Sequence, residues 1–196
     1  VLSLEPLQRF VCPGSEVPVR RDAGRRGARL ILFPEAFVPA YPRGLSFGMV
    51  VGGRTPGGLD LWRLYWENAV DVPGPETEIL GDAARAANAY LAVGVIERGS
   101  GGDRGTLYCT LLYFGPDGSL LGKHRKLKPT GSERLIWGEG DGRSLTVYET
   151  AVGRIGGLIC WEHWMPLARA AMHAQSEFVH VAQWPAVRDL HQLAIR

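Results

Sequence analysis

The sequence has little of what marks several common protein classes. Cysteine is scarce, with three in 196 residues, at positions 12, 109 and 160. Their spacing is uneven, which excludes a disulfide framework and leads us to expect a reduced, cytoplasmic setting. No apolar run approaches the roughly 20 residues that span a bilayer. The amino-terminal stretch lacks a basic segment ahead of an apolar core, and Glu5 and Arg9 interrupt it, so it does not read as a signal peptide. Excess charge of one sign is missing too. The 22 Lys and Arg stand against 20 Asp and Glu, a formal net charge of +2. That balance gives no general attraction to nucleic acid or to a membrane surface. There are no internal repeats. Cys160 and His163 have Cys-x-x-His spacing, but no second close pair completes a structural zinc site. Neither a metal nor a cofactor is expected.

What is present is a chain that is 45% hydrophobic with 26 glycines and 13 prolines, enough for one domain with a real core. Strand-like and helix-like patterns alternate along it. Residues 29–33 read as a strand. Residues 40–58 read as a long loop rich in Gly and Pro, a plausible rim for a site. Leu59 to Val70 reads as a helix, broken by Val72-Pro73-Gly74-Pro75, and Glu76 to Asn88 as a second with acids in its first turn. Tyr90 to Glu97 is a strand, and residues 99–105 are a glycine-rich turn. Leu107 to Phe114 and Ser119 to Lys123 form a hairpin about Gly115-Pro116-Asp117-Gly118. Residues 144–149 and 153–159 make another strand pair, and Met165 to Gln175 a helix. Phe178-Val179-His180-Val181 reads as a buried strand with a hydrogen-bonded core histidine. Val187 to Arg196 begins a further helix.

Three settings carry chemistry. In the first, the strand pattern Arg154-Ile155-Gly156-Gly157-Leu158-Ile159 runs straight into Cys160, and a helix pattern follows. A strand-to-helix corner exposes one side chain and aims free backbone N–H groups at what it attacks, which suits a nucleophile. The plainer reading is a small buried hydrophobe at a strand end. In the second, Leu30-Ile31-Leu32-Phe33 is a buried strand that Pro34 terminates, leaving Glu35 just past its end. Sites on layered α/β folds are built there, although a lone Glu at such a place is usually solvated. The third is the basic run from Lys123 to Lys128. Such a run is ordinarily a solvated face or a phosphate patch, and it lacks the basic density of a nucleic-acid surface. A papain-like Cys–His pair with His124, His163, His173, His180 or His191 has only composition behind it. Trp161, Trp164 and Trp184 lie near the Cys160 corner or a neighbouring strand end, where they either pack in the core or line an apolar pocket.

Together, Phe33-Pro34-Glu35-Ala36-Phe37, His124-Arg125-Lys126-Leu127-Lys128-Pro129-Thr130 and Cys160-Trp161-Glu162-His163 resemble the nitrilase branch of the carbon–nitrogen hydrolase superfamily. Trp137-Gly138-Glu139-Gly140-Asp141-Gly142 and Val179-His180-Val181-Ala182-Gln183-Trp184-Pro185 are similar to the same family. Three ordered motifs make the match more specific than any single short pattern. It runs from about Asp22 to Arg196; residues 1–21 do not match, and the chain is expected to be incomplete at both ends. The resemblance implies a four-layer α–β–β–α sandwich with helices outside two packed sheets. It implies a catalytic triad of Glu35, Lys126 and Cys160, with Glu133 positioning the substrate. Trp161, through its backbone N–H, His163 and Trp184 are the expected oxyanion and pocket residues. Lys123, Arg125 and Lys128 are expected to be supporting or exposed.

The implied reaction converts a small-molecule nitrile and water into a carboxylic acid and ammonia through a covalent cysteine intermediate. An amidase with the same triad, and an inactive fragment that only associates with other chains, are the alternatives. The resemblance also implies a homo-oligomer, with neither nucleic acid nor a membrane as partner.

Overall fold

The computed structural model describes residues 23–24 and 26–185. Residues 1–21 with Cys12, and the helix expected over 187–196 with His191, lie outside the described residues. In chain order the strands are β1 (Leu30–Leu32), β2 (Met49–Val50), β3 (Gly53–Arg54), β4 (Tyr90–Arg98), β5 (Leu107–Phe114), β6 (Leu120–Arg125), β7 (Tyr148–Thr150), β8 (Gly153–Ile159) and β9 (Val179–Gln183). The helices are α1 (Pro56–Glu67), α2 (Pro75–Ala87) and α3 (Pro166–Ala174). One sheet has the order β1-β4-β5-β6 and a second the order β7-β8-β9. β1 joins β4 in parallel and β8 joins β9 in parallel, while β4, β5 and β6 pair antiparallel.

The two-residue period of a strand explains how the layers stack. Ala92 and Ile96 of β4 and Leu107, Cys109, Leu111 and Tyr113 of β5 face inward, where they share one core with Ile155, Ile159 and Val181 of the second sheet. Leu91, Val93, Val95, Leu112 and Phe114 face the other way and are covered by Leu80 and Ala84 of α2. On the far side, Leu158 packs against Ala168 and Met172 of α3. The layer order is therefore helix, sheet, sheet, helix, as the resemblance implied. Each buried aliphatic side chain contributes about 1.5–3 kcal/mol to holding the layers together.

Local chemistry sets the helix ends. The Thr55 side chain accepts the N–H of Gly58 and Pro56 opens α1, so this helix starts three residues before the expected Leu59. α2 begins at Pro75 with Glu76 and Glu78 in its first turn and closes on Asn88 in the left-handed region. The segment 40–58 is not all loop, because it holds the β2–β3 hairpin and the first turn of α1. Its Phe47 is buried against Trp62 and Tyr65. His180 corrects a second expectation. Val181 and Gln183 take the inward positions of β9, which puts His180 on the outer face, exposed and bonded to Glu177 at 2.8 Å. No helix among the described residues is long and apolar enough to cross a membrane.

Candidate active site

Glu35 lies on the turn that follows β1. Pro34 ends the strand, Ala36 adopts a positive φ of 49°, and the Glu35 N–H donates to the carbonyl of Trp184 at 3.3 Å. The turn presses flat against β4 at Gly94. A Cβ there would lie 2.4 Å from the Pro34 carbonyl oxygen and 2.6 Å from the Ala36 nitrogen. Only glycine admits that approach. The turn thus carries the carboxylate into the interior, where it is fully buried rather than solvated.

Lys126 follows from the alternation of β6. Lys123 and Arg125 point outward, and both bind the buried carboxylate of Glu97. His124 points inward, and Lys126, two residues on, keeps that side after the strand has ended. Its N–H donates to the Cys109 carbonyl at 2.8 Å, which fixes the backbone. Its Nζ then donates to Glu35 Oε1 at 2.7 Å and to Glu133 Oε2 at 2.8 Å. Glu133 sits in a 3-10 turn, Gly131–Leu135; the Thr130 N–H donates to its Oε2 and the Tyr41 hydroxyl to its Oε1, each at 2.6 Å. The expected supporting residues separate clearly, since Lys128 is half-exposed and, among the described residues, pairs only with Glu139.

Cys160 ends β8 and opens a 3-10 turn, Cys160–Trp164, which stands between the strand and α3. The helix expected over Met165 to Gln175 follows this turn as α3, Pro166–Ala174. Cys160 itself has φ 53°, a left-handed conformation uncommon for a residue with a Cβ. The Trp161 N–H hydrogen-bonds the Cys160 sulfur. The His163 Nδ1–H donates to the Cys160 carbonyl at 2.6 Å, and its ring stacks on Trp184 with centroids 5.6 Å apart. Trp161 meets Trp184 edge-on at 5.6 Å. Among the described residues no imidazole bonds the Cys160 sulfur, so a papain-like Cys–His pair is not formed there.

The charges in this space are tightly linked. Burial raises the Glu35 carboxyl above its usual range, and Lys126 only partly offsets this. Burial pulls the Lys126 ammonium down, but the attraction of the Glu35 and Glu133 carboxylates outweighs it, and Lys126 is held firmly as a cation. Burial likewise pushes the Cys160 thiol well up; the negative charges of Glu35 and Glu133 add to that, against Lys126 and the Trp161 N–H. One ammonium cannot neutralise two carboxylates, so a thiolate would be a third anion around a single cation. These surroundings favour the thiol of Cys160 over its thiolate. Glu35 Oε2 is buried and has no hydrogen-bond partner among the described residues.

Three neighbours were not anticipated. Tyr41 sits in a stretch read as loop, and no local pattern distinguishes it. Cys109 is mid-strand as expected, but its setting is not purely apolar, since its Sγ lies 3.5 Å from Glu35 Oε1. The period of β5 would have placed it on the inner face. Glu162, buried beside the nucleophile, takes hydrogen bonds from two separate elements.

Residues 11–195 match the carbon-nitrogen hydrolase family. The chain belongs to the carbon-nitrogen hydrolase family. A nitrilase of Bradyrhizobium diazoefficiens is 46% identical over 185 residues, 94% of this chain and 56% of that protein. A bifunctional nitrilase/nitrile hydratase of Lupinus angustifolius is 48% identical over 174 residues, 89% of this chain and 49% of that protein. The crystal structure of Nit3 of Saccharomyces cerevisiae, a member of the nitrilase superfamily, superposes with a TM-score of 0.60 at 20% identity, over 88% of this chain and 57% of that one. That likeness is one of fold. This carbon-nitrogen hydrolase chain spans about half the length of the curated relatives it matches.

Proposed function

We propose that the chain carries the catalytic residues of a nitrilase, which hydrolyses a small nitrile to a carboxylic acid and ammonia. The supporting observation is the buried cluster in which Lys126 bridges Glu35 and Glu133, with Cys160 on its left-handed turn in the same core. In this reading Glu35 Oε2 takes the thiol proton as Cys160 Sγ attacks the nitrile carbon. The carbon–sulfur bond forms, one π bond of the triple bond opens, and the nitrogen gains the proton that Glu35 took from the thiol, which gives a thioimidate and frees Glu35 to act again. Water adds next, activated by Glu35, and ammonia leaves to yield a thioester. A second water releases the acid and restores the thiol. Lys126 stands beside the charge that develops on nitrogen or oxygen, with the Trp161 N–H as a second donor. Glu133 orients the substrate and holds Lys126. The Trp161, His163 and Trp184 rings line the side of the pocket next to the nucleophile.

The mechanism draws on no metal or organic cofactor, because thiol, carboxylate and ammonium supply every step. A cytoplasmic, homo-oligomeric enzyme without a nucleic-acid or membrane partner completes the reading. Nitrile rather than amide is favoured by the 46–48% identity to relatives named as nitrilases. The test is ammonia release from a panel of nitriles and the matching amides, with Cys160→Ala as control. Acid and ammonia formed in equal amounts from a nitrile, and lost in Cys160→Ala, support the proposal. Faster turnover of the amides would make the chain an amidase, and full activity in Cys160→Ala would overturn the reading.

A further inference from the structure

We infer that Glu162 is a positioning residue that locks the turn bearing Cys160 to the turn bearing Lys126. The inference rests on the proposed catalytic roles of those two residues. Glu162 is fully buried, two residues beyond the nucleophile. Its Oε2 accepts the N–H of Ile159 at 2.6 Å, the residue just before Cys160. Its Oε1 accepts the N–H of Leu127 at 2.6 Å, the residue just after Lys126. The Nε2 of His124, two residues before Lys126, approaches the same carboxylate at 3.0 Å, and its Nδ1 lies 3.0 Å from Ser144 Oγ.

One carboxylate thus joins two sheets at the point where their functional side chains emerge. β6 supplies Lys126 and β8 supplies Cys160, and the strands belong to different sheets with no ladder between them. Backbone N–H groups at strand ends lie outside the ladder and need an acceptor. A neutral side chain of the same shape cannot serve both, because an amide offers one acceptor and turns a donor toward the other N–H. Burial alone would raise the Glu162 carboxyl, yet the His124 contact and the two backbone N–H groups hold it below its usual value, so it is an anion with all of its contacts made. It touches neither the Cys160 sulfur nor the Lys126 nitrogen. Its effect passes through the backbone on either side of them.

The test is Glu162→Gln, read by the rate and site of iodoacetamide labelling, by melting temperature, and by nitrile kinetics. Positioning predicts that Cys160 labels about tenfold more slowly while buried Cys109 stays unlabelled. It also predicts that kcat falls about tenfold or more with KM changed less than about threefold. Added to Lys126→Ala, the change should cost less than it does alone, since the part of its effect that passes through the lysine is already lost. Charge alone predicts the opposite sign, because removing a nearby anion favours the thiolate and speeds labelling. Labelling at or above the native rate, or a full additive loss in the double variant, overturns the inference. If the Gln chain does not fold, Glu162→Asp keeps the charge but reaches only one of the two N–H groups, and it must also slow Cys160 labelling. Native-rate labelling in Asp, or loss of the fold in both variants, makes the residue merely structural and overturns the inference. Labelling does not depend on the substrate. Slowed labelling without nitrile turnover would therefore retain the positioning role and sink the nitrilase reading instead.

Discussion

Acid should destabilise this fold through His163 before it protonates most carboxylates. The ring is buried, and burial drives its pKa from 6.5 to about 4. Its Nδ1–H is committed to the Cys160 carbonyl, and its Nε2 is buried with no partner among the described residues. A second proton would therefore enter a site that offers it no acceptor. Because the folded pKa lies below the unfolded one, the unfolded chain binds more protons between them. The stabilisation is complete above pH 6.5 and is lost as pH falls toward 4. Integrating one site over pH 7.5 to 4.5 gives a loss of about 2.5 kcal/mol, with a steepest slope of about 1.2 kcal/mol per pH unit. His163→Asn keeps an N–H for the Cys160 carbonyl and does not titrate. Urea unfolding at several pH values should show the native curve falling about 2.5 kcal/mol further than the variant over that range. Parallel curves, within about 0.5 kcal/mol, would refute the argument that a neutral imidazole holds the corner.

Four other substitutions probe the site. Lys126→Met should lower kcat by about a hundredfold or more in nitrile assays, because the positive charge beside the reacting atoms is lost, whereas Lys128→Ala breaks only an exposed pair and should change it less than about threefold. Turnover should fall in acid with a midpoint above the ordinary carboxylate value of 4.5, since Glu35 must be deprotonated to act and its pKa is raised; Glu35→Gln should leave only a low residual rate without that limb. Gly94→Ala forces a methyl into the backbone of the Glu35 turn, and calorimetry should record a loss of about 1–3 kcal/mol together with slower Cys160 labelling.

Much of this was legible in the residues because periodicity and strand ends are local properties. Pro34 marks where β1 must stop, so Glu35 could be placed without coordinates. The hairpin about Gly115-Pro116-Asp117-Gly118 was likewise readable, and it fixes the direction of β6. The inward orientation of Lys126 follows from counting by two from His124, although the charge run hides it. Contacts between distant segments were not legible. Tyr41 reaches Glu133 across 92 residues and Glu162 reaches Leu127 across 35, and nothing near either position in the chain announces its partner. His180 misled because an apolar neighbourhood in sequence does not say which face of a strand a given residue takes. The start of α1 was misplaced for a different reason, since a threonine cap and a proline outweighed the apolar pattern that begins at Leu59.

The site is split between two sheets, and this makes it a sensor of tertiary assembly. Glu35 and Lys126 are tethered to the first sheet and Cys160 to the second, so secondary structure alone brings only two of the three together. A state with both sheets formed but slid apart would keep its far-ultraviolet circular dichroism and lose selective thiol reactivity. Reactivity should then disappear at lower denaturant than backbone signal, in the order of layer separation followed by strand melting. Changes that tighten contacts between the layers, far from any of the three side chains, would extend the range of conditions over which Cys160 reacts.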